Sequence, residues 1–375
     1  MHDVIVIGGG IAGCTTAYYL ADDGVDVVLL EQYEVNALAS GANAGSLHAQ
    51  IQPEPFVEFG ERWARRFLPA IPFYRESMSM WYGIESVLGV DLEVSRDGGL
   101  VVAANDNDMQ FLEAKAALER SEGLETVLLT AAELRDRAPY VSKEMGGGAL
   151  CPIEGKANPL LAAPVFAAAA KARGAVIQQM QRVTAVRRLH DHFEVQCGNQ
   201  SYRAARVIDA AGIDAGNVAA MLGGKIEMQS FPIQLSVTEP VSPLIKHLLY
   251  FSSDMLTLKQ TKTGTILIGG GWPAVLDKQQ RPRVKSSSLY SNLRIAVKTV
   301  PGIAAAQIVR TWAAQVNGNE SWLPVIGEMP GSHGFFINYV PWMGFSGAPA
   351  ASRIIASLAQ GHIPPFDFDI APFRP

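Results

Sequence analysis

The sequence predicts a chain of mixed class, in which an α/β domain built on a parallel sheet alternates along the chain with an α+β domain built on a mixed or antiparallel sheet. Three observations predict it. A complete βαβ unit opens the chain, a central stretch reads mostly as strands with one helix, and apolar strand and helix patterns return at the C-terminal end. These shifts place one domain over residues 1–90, 145–224 and 320–375, and the other over 91–144 and 225–319. A length of 375 residues accommodates two or three domains at roughly 150 residues each.

In order, Val4-Ile5-Val6-Ile7 is a β-branched run suited to a strand buried on both faces. Residues 11–22 then run helical, and Gly24 precedes a second strand over 25–30. Aromatic, amphipathic helical segments extend from Phe56 to Val87, interrupted at Pro69 and Pro72, and form a helical cover. Asp97-Gly98-Gly99 predicts a hairpin over 92–103, and Thr130 with Glu133 has capping-box spacing ahead of a short helix stopped before Pro139. Residues 160–173 form an Ala-rich helix closed by Gly174, followed by strand candidates over 175–180, 183–188, 192–197 and 203–210. Further strands are expected over 233–238, 256–260, 265–268 and 307–312, with a helix after Lys285. A helix over 350–360 ends the pattern before a Pro-rich tail.

Apolar residues make up 48% of the chain and charged residues 18%, which supports a sizeable core and argues against disorder. Lysine and arginine number 31 against 36 acidic residues, so no basic surplus exists to neutralise a nucleic-acid backbone. Cys14, Cys151 and Cys197 are odd in number and widely spaced, which fits a reducing, cytoplasmic setting. The apolar stretch over 4–20 is broken by Gly8, Gly9, Gly10 and Gly13 and lacks a basic leader, so neither a signal peptide nor a membrane span is expected. His190 and His192 lie in a polar turn and read as solvated surface, and no metal site is expected.

The chemistry is written first in Gly8-x-Gly10-x-x-Gly13, with Ile11 and Ala12 inside it, between the first strand and its helix. The first glycine permits the turn, the second lets backbone approach a pyrophosphate, and the third lets helix and strand pack closely. The helix N-terminus favours the phosphate charge. Glu31, ending the second strand, accepts ribose hydroxyls and repels a 2′-phosphate, which disfavours NADP. This Rossmann fingerprint does not separate NAD from FAD. The low-bulk stretch Ala39-Ser40-Gly41-Ala42-Asn43-Ala44-Gly45 leaves backbone N–H groups free to line phosphate and flavin edges.

With that stretch the chain resembles the D-amino acid oxidase and glycine oxidase superfamily of FAD-dependent amine oxidoreductases. The resemblance extends, in the family's order, to Arg206–Gly212, Ile266–Gly271, Leu323–Gly327 and Gly344–Pro349. It implies a Rossmann-like FAD domain of the glutathione-reductase type beside a substrate domain with a mixed or antiparallel sheet. Gly8, Gly10, Gly13, Glu31, Ser40, Asn43, Ala44 and Gly45 would hold FAD, with Val183 backbone at the adenine and Gly212 at the pyrophosphate. Gly344, Phe345 and Ser346, placed before the last helix, would set donors near the flavin pyrimidine oxygen. No cysteine follows Cys197, so noncovalent FAD is expected. Pro341-Trp342 and Ser321-Trp322 stand where the family has Gly-His and Asp-Gly, which puts bulky indoles near the flavin end.

Family chemistry moves a hydride from the carbon beside a neutral amine nitrogen to the flavin, and the imine then hydrolyses. The protein's task is orientation and charge complementarity, with no obligatory triad or metal. A substrate carboxylate calls for a cation, and Arg310 and Lys259 are the candidates. Tyr250 and Tyr339 are further carboxylate donors, His48 faces the flavin, and Trp342 shapes the pocket. The family's second arginine is replaced by Val316. The segment Cys151–Pro159, together with the run ending at His48, is similar to the β subunits of opine oxidases, D-hydroxyproline dehydrogenase and hydrogen cyanide synthase. That likeness implies oxidation of an opine such as octopine or nopaline. The alternatives are glycine, a D-amino acid or D-hydroxyproline as substrate, and a non-catalytic flavin-binding subunit. The family's oxygen-activating lysine falls near apolar Leu267, so slow reaction with oxygen is expected. A heteromer is expected too, whose partner passes electrons on through an iron–sulfur centre, with FMN at the interface in some members.

Overall fold

In a computed structural model describing residues 1–375, the opening β-branched run forms the strand His2–Ile7 at the centre of a sheet. It pairs in parallel with Val27–Leu30 on one side and Gln200–Asp209 on the other. Val176–Gln178 and Phe335–Tyr339 continue the parallel order outward, and Val325–Glu328 adds an antiparallel edge. Alternation divides these strands between two cores. Val4, Val6, Val27 and Leu29 pack with the helices Ile11–Asp22, Pro159–Ala172 and Gly344–Ala359. Ile5, Ile7, Val28 and Leu30 pack on the other face, beneath the antiparallel strands Ala185–Arg188 and Phe193–Cys197.

The second sheet runs in the order Ile308–Gly318, Gln229–Thr238, Ile266–Gly269, Asp254–Gln260, Leu248–Phe251, Gly99–Ala103, Gly147–Cys151 and Val127–Thr130. It is antiparallel except where Leu248–Phe251 meets Gly99–Ala103. The helix Ser286–Thr299 lies against one face and Asp106–Ser121 against the other. Thr130 and Glu133 form the expected capping box. No helix is long and apolar enough to cross a membrane.

Several elements differ from expectation for physical reasons. No hairpin forms over 92–103. Gly99 lacks a side chain because Glu154 Oε2 lies 1.8 Å from where its Cβ would be, so this glycine serves close approach rather than a turn. Pro72 does not interrupt the helix Ala70–Leu88, because in the first turn the missing N–H has no intrahelical partner to lose. The real break in the preceding helix, Pro53–Phe67, is Gly60 at φ +76. The strand Gly147–Cys151 belongs to the second sheet, so the change of sheet falls after it rather than at residue 145. The helix Asp106–Ser121 was not legible, because Lys115 and Glu119 occupy fully buried positions on its inner face. The last helix starts at Gly344, six residues before the expected 350, with Pro349 inside it. Pro349 cannot donate to the Phe345 carbonyl, which instead accepts from Trp81 Nε1 at 3.2 Å.

Glycine substitutions separate packing from propensity. A Cβ on Gly13 would lie 1.9 Å from the Gly8 carbonyl oxygen, whereas one on Gly83 meets nothing within 4 Å. Thermal unfolding is therefore expected to show Gly13→Ala destabilised by roughly 1–3 kcal/mol and Gly83→Ala stabilised by about 0.5–1 kcal/mol.

Candidate active site

Two adjoining cavities lie where the sheets meet. The smaller, of about 250 Å³, runs from Glu31 past the glycine turn to Trp342, Gly344 and Phe345. Gly8 adopts φ +109 to make the turn. The helix that follows begins at Gly10 without a side-chain cap. Ser40 Oγ accepts from Ile11 N at 2.9 Å, drawing the low-bulk loop over the helix start. Glu31 accepts from Gly9 N and Tyr33 N at 2.5 and 2.7 Å, one bond on each oxygen, which leaves a lone pair on each toward the cavity. Asn36 Oδ1, Asn338 Oδ1 and the Tyr339 hydroxyl are buried on this cavity's residues without partners. A bare helix N-terminus and a side-chain-free turn suit a ligand carrying phosphates, and the free lone pairs of Glu31 suit its hydroxyls.

The larger cavity, of about 900 Å³, shares Ala39, Asn43, Val316, Trp342 and Phe345 with the smaller, so the two are continuous. Trp342 stacks on Trp322 at 4.9 Å and meets Phe231 at 4.6 Å, forming an aromatic wall. The inner end of the cavity is the short strand Ser46–Leu47 and the following His48. Buried Lys259 donates to Ser46 Oγ. Burial and the Lys156 charge pull its ammonium down to about 7. His48 Nδ1 lies 2.5 Å from the Tyr250 hydroxyl, which donates to fully buried Glu154 at 2.8 Å. Five carboxylates, Glu54, Glu58, Glu227, Asp254 and Glu320, line the cavity, and no lysine or arginine does.

The FAD dependent oxidoreductase family (DAO) matches this chain over residues 3–358. The chain belongs to that family. Sarcosine oxidase subunit beta of Rhizobium meliloti is 25% identical over 365 residues, covering 95% of this chain and 84% of that protein. Glycine oxidase of Geobacillus kaustophilus is 25% identical over 382 residues, covering 99% and 96%. A crystal structure of glycine oxidase from Geobacillus kaustophilus matches with a TM-score of 0.88 at 22% identity, covering 100% of this chain and 98% of that one.

FAD is the cofactor of the family, and the lining of the smaller cavity suits its phosphates and ribose, with the flavin ring reaching into the larger. Gly8, Gly10, Ile11, Ala12, Glu31, Ser40, Asn43, Val183, Gly212, Gly344 and Phe345 all line that cavity. Ala44 and Ser346 line the larger one. Gly13 and Gly45 line neither; each permits close packing, Gly45 against the Ala157 carbonyl, 2.1 Å from where its Cβ would be. Asn43 shapes the loop by bonding the Ser40 carbonyl and Gly45 N at 2.6 and 2.7 Å. Gly344 to Ser346 form the first turn of the last helix, rather than preceding it, so their N–H groups belong to a helix N-terminus. The Ser346 hydroxyl has no proton left for a cofactor oxygen, since it donates to the Ser46 carbonyl while accepting from His48 N.

Among the substrate candidates the structure separates the two cations. Arg310 is exposed, lies over the Trp312 ring at 5.7 Å, and lines neither cavity. It shares a strand with lining residue Val316 but stands six residues, roughly 20 Å, farther along it. Lys259 reaches the larger cavity through Ser46. Tyr250 directs its only proton at the Glu154 carboxylate and so has none for a substrate carboxylate. Tyr339 belongs to the smaller cavity rather than the substrate side. Leu267 faces Lys259 across the ladder, so a cation does stand beside the position expected to lack one. Glu154 and Ser46 went unassigned from sequence, although both fall in segments that carry the resemblance.

A yellow protein is expected, whose FAD leaves on treatment with acid or heat. A Cβ on Gly10 would lie 2.9 Å from Ser40 Oγ, and a branched side chain there would obstruct the helix start. Gly10→Val should fold, by circular dichroism, yet lose its flavin absorbance; wild-type occupancy would refute the placement.

Proposed function

We propose that this flavoprotein oxidises the C–N bond of a secondary amine in an N-substituted amino acid, and that its substrate is an arginine-derived opine such as octopine or nopaline. The observation that carries the reading is the larger cavity. Its volume of about 900 Å³ and its lining of five carboxylates without a lysine or arginine suit a long substrate with a cationic tail. The flavin ring would enter that space where Ala44 and Ser346 line it, and glycine would leave most of the remainder unfilled. A guanidinium pairs with carboxylates in bidentate geometry, which gives Glu54, Glu58 and Asp254 a role at the outer end. At the inner end Ser46, backed by Lys259, would donate to the substrate carboxylate. FAD, when bound, supplies the two-electron acceptor for the hydride released from the carbon beside nitrogen. The protein orients that carbon, and the aromatic wall of Trp322, Trp342 and Phe231 helps exclude water.

A heteromer is part of the same proposal. It is supported by the likeness to a protein named as a subunit beta and not by a missing cation, since Lys259 opposes Leu267. In it this chain would hold FAD and the amine, and a partner bearing an iron–sulfur centre, with or without FMN, would carry electrons onward. Slow reoxidation in air by the isolated chain, accelerated by the co-expressed partner, is the expected result; rapid turnover on oxygen by the chain alone would overturn it.

Anaerobic bleaching of bound flavin by a panel of octopine, nopaline, sarcosine, glycine and D-hydroxyproline tests the substrate. Fastest bleaching by octopine or nopaline is expected. Preference for glycine or D-hydroxyproline would replace the opine reading, and no bleaching at all would point to a non-catalytic flavin-binding subunit. Lys259→Met should raise KM roughly 10- to 100-fold, as loss of a charged hydrogen bond does, while Arg310→Met leaves KM unchanged. Because Lys259 titrates near 7 and loses its charge above that value, kcat/KM should carry a descending limb there that Lys259→Met abolishes.

A further inference from the structure

The polar groups behind His48 can be followed donor by donor, and they leave one atom free. Lys115 Nζ donates to Gln50 Oε1 at 2.5 Å and to Glu119 Oε1 at 2.6 Å. An ammonium only donates, so the Gln50 amide must turn its Nε2 toward Glu154 Oε2, 2.7 Å away. Glu154 Oε1 accepts from Ala49 N at 2.6 Å and Gln50 N at 2.9 Å, and Oε2 also accepts from the Tyr250 hydroxyl at 2.8 Å. Three of these four partners are amide N–H groups that cannot accept; with Glu154 ionised, as its four donors favour, both oxygens are acceptors throughout. Tyr250 therefore directs its one proton at Glu154. Its oxygen, 2.5 Å from His48 Nδ1, is left as an acceptor. The histidine proton then sits on Nδ1, and Nε2 carries a bare lone pair. Nε2 has no protein partner, and the ring lines the larger cavity.

We propose that His48 Nε2 accepts the N–H of the substrate's reacting amine, and that Tyr250 and Glu154 are positioning residues that hold the ring in the tautomer able to do so. This rests on the amine substrate proposed above. A neutral secondary amine has one N–H and one lone pair. Fixing the N–H on His48 fixes the direction of the lone pair, which becomes the second bond of C=N as the hydride leaves. Positive charge then grows on nitrogen, and the N–H···Nε2 bond strengthens most where the barrier is highest. The surroundings also select the uncharged amine. Burial and the Lys259 ammonium pull His48 down to about 3, and the same field disfavours an ammonium placed beside it. The ionisable groups around the ring are Tyr250, Glu154 and Lys259, with Lys156 behind Lys259. The carboxylates Glu54, Glu58, Glu227, Asp254 and Glu320 share the wider cavity.

The test uses FAD-loaded protein and two matched pairs, octopine with its N-methyl derivative and sarcosine with N,N-dimethylglycine, each followed by anaerobic bleaching. Wild-type protein should prefer the N–H member of a pair by roughly 10- to 100-fold in kcat/KM, the effect of leaving a buried acceptor unpaired. His48→Leu should bring the members of each pair within about threefold of each other, while His48→Gln, which keeps an acceptor oxygen, retains part of the preference. Imidazole-nitrogen NMR supplies a second readout. The His48 signal, assigned by its loss in His48→Leu, should report Nδ1–H in wild type and shift toward Nε2–H in Tyr250→Phe. An unchanged preference in His48→Leu, or an Nε2–H ring in wild type, overturns the inference. Failure of both pairs to bleach wild-type flavin overturns instead the amine reading, and this inference with it.

Discussion

The two sheets meet over one buried carboxylate. Glu154 follows the strand Gly147–Cys151 of the second sheet, yet its oxygens hold Ala49 and Gln50, just beyond the loop that covers the cofactor cradle. An ion removed from water costs several kcal/mol unless its lone pairs are met. Here four donors meet them, and Gly99 lacks a side chain so that the carboxylate can enter. Burial pushes the Glu154 proton affinity upward, and the donors oppose it. The position of the strand Ser46–Leu47 and of His48 after it, and with it the inner end of the larger cavity, follows from that compensation.

This arrangement explains what was legible in the sequence. The opening βαβ unit was readable because its signals are local: a β-branched run, a glycine turn and an acid at a strand end. The capping box at Thr130 is local in the same way. Glu154, Gln50, Lys115 and Glu119 carry polar letters, and their burial depends on one another across distant segments, so periodicity counts them as surface. For that reason the helix Asp106–Ser121 escaped notice. Arg310 shows the converse limit. Its residue type and its strand parity were right for an anion site, but parity fixes a face and not a position along it. Pro72 misled because a proline in a first turn removes little, and the Phe345 carbonyl that Pro349 orphans is met by a neighbouring indole.

The junction of the two cavities is stiff. Trp322 and Trp342 both hold positive φ, at +60 and +54, a region that costs a bulky residue of order 1 kcal/mol or more. Trp342 keeps it by stacking on Trp322 and by donating from Nε1 to the Asn319 carbonyl at 3.1 Å. Gly318 has no side chain because the indole lies 2.2 Å from where its Cβ would be. Wall and strand thus hold the boundary between the cavities from opposite sides.

The five carboxylates of the larger cavity differ from Glu154 in one respect. Four of them are exposed and the fifth is half-buried, and they sit on four separate segments of chain. Exchanging any one of them leaves no orphaned partner in the core, whereas Glu154, Tyr250 and Gln50 cannot be changed singly without one. The fold therefore leaves these five positions free to change without disturbing the core, and ties the inner end to its buried network. New substrate preferences can arise in such a protein by surface replacement alone, with the reaction geometry inherited unchanged.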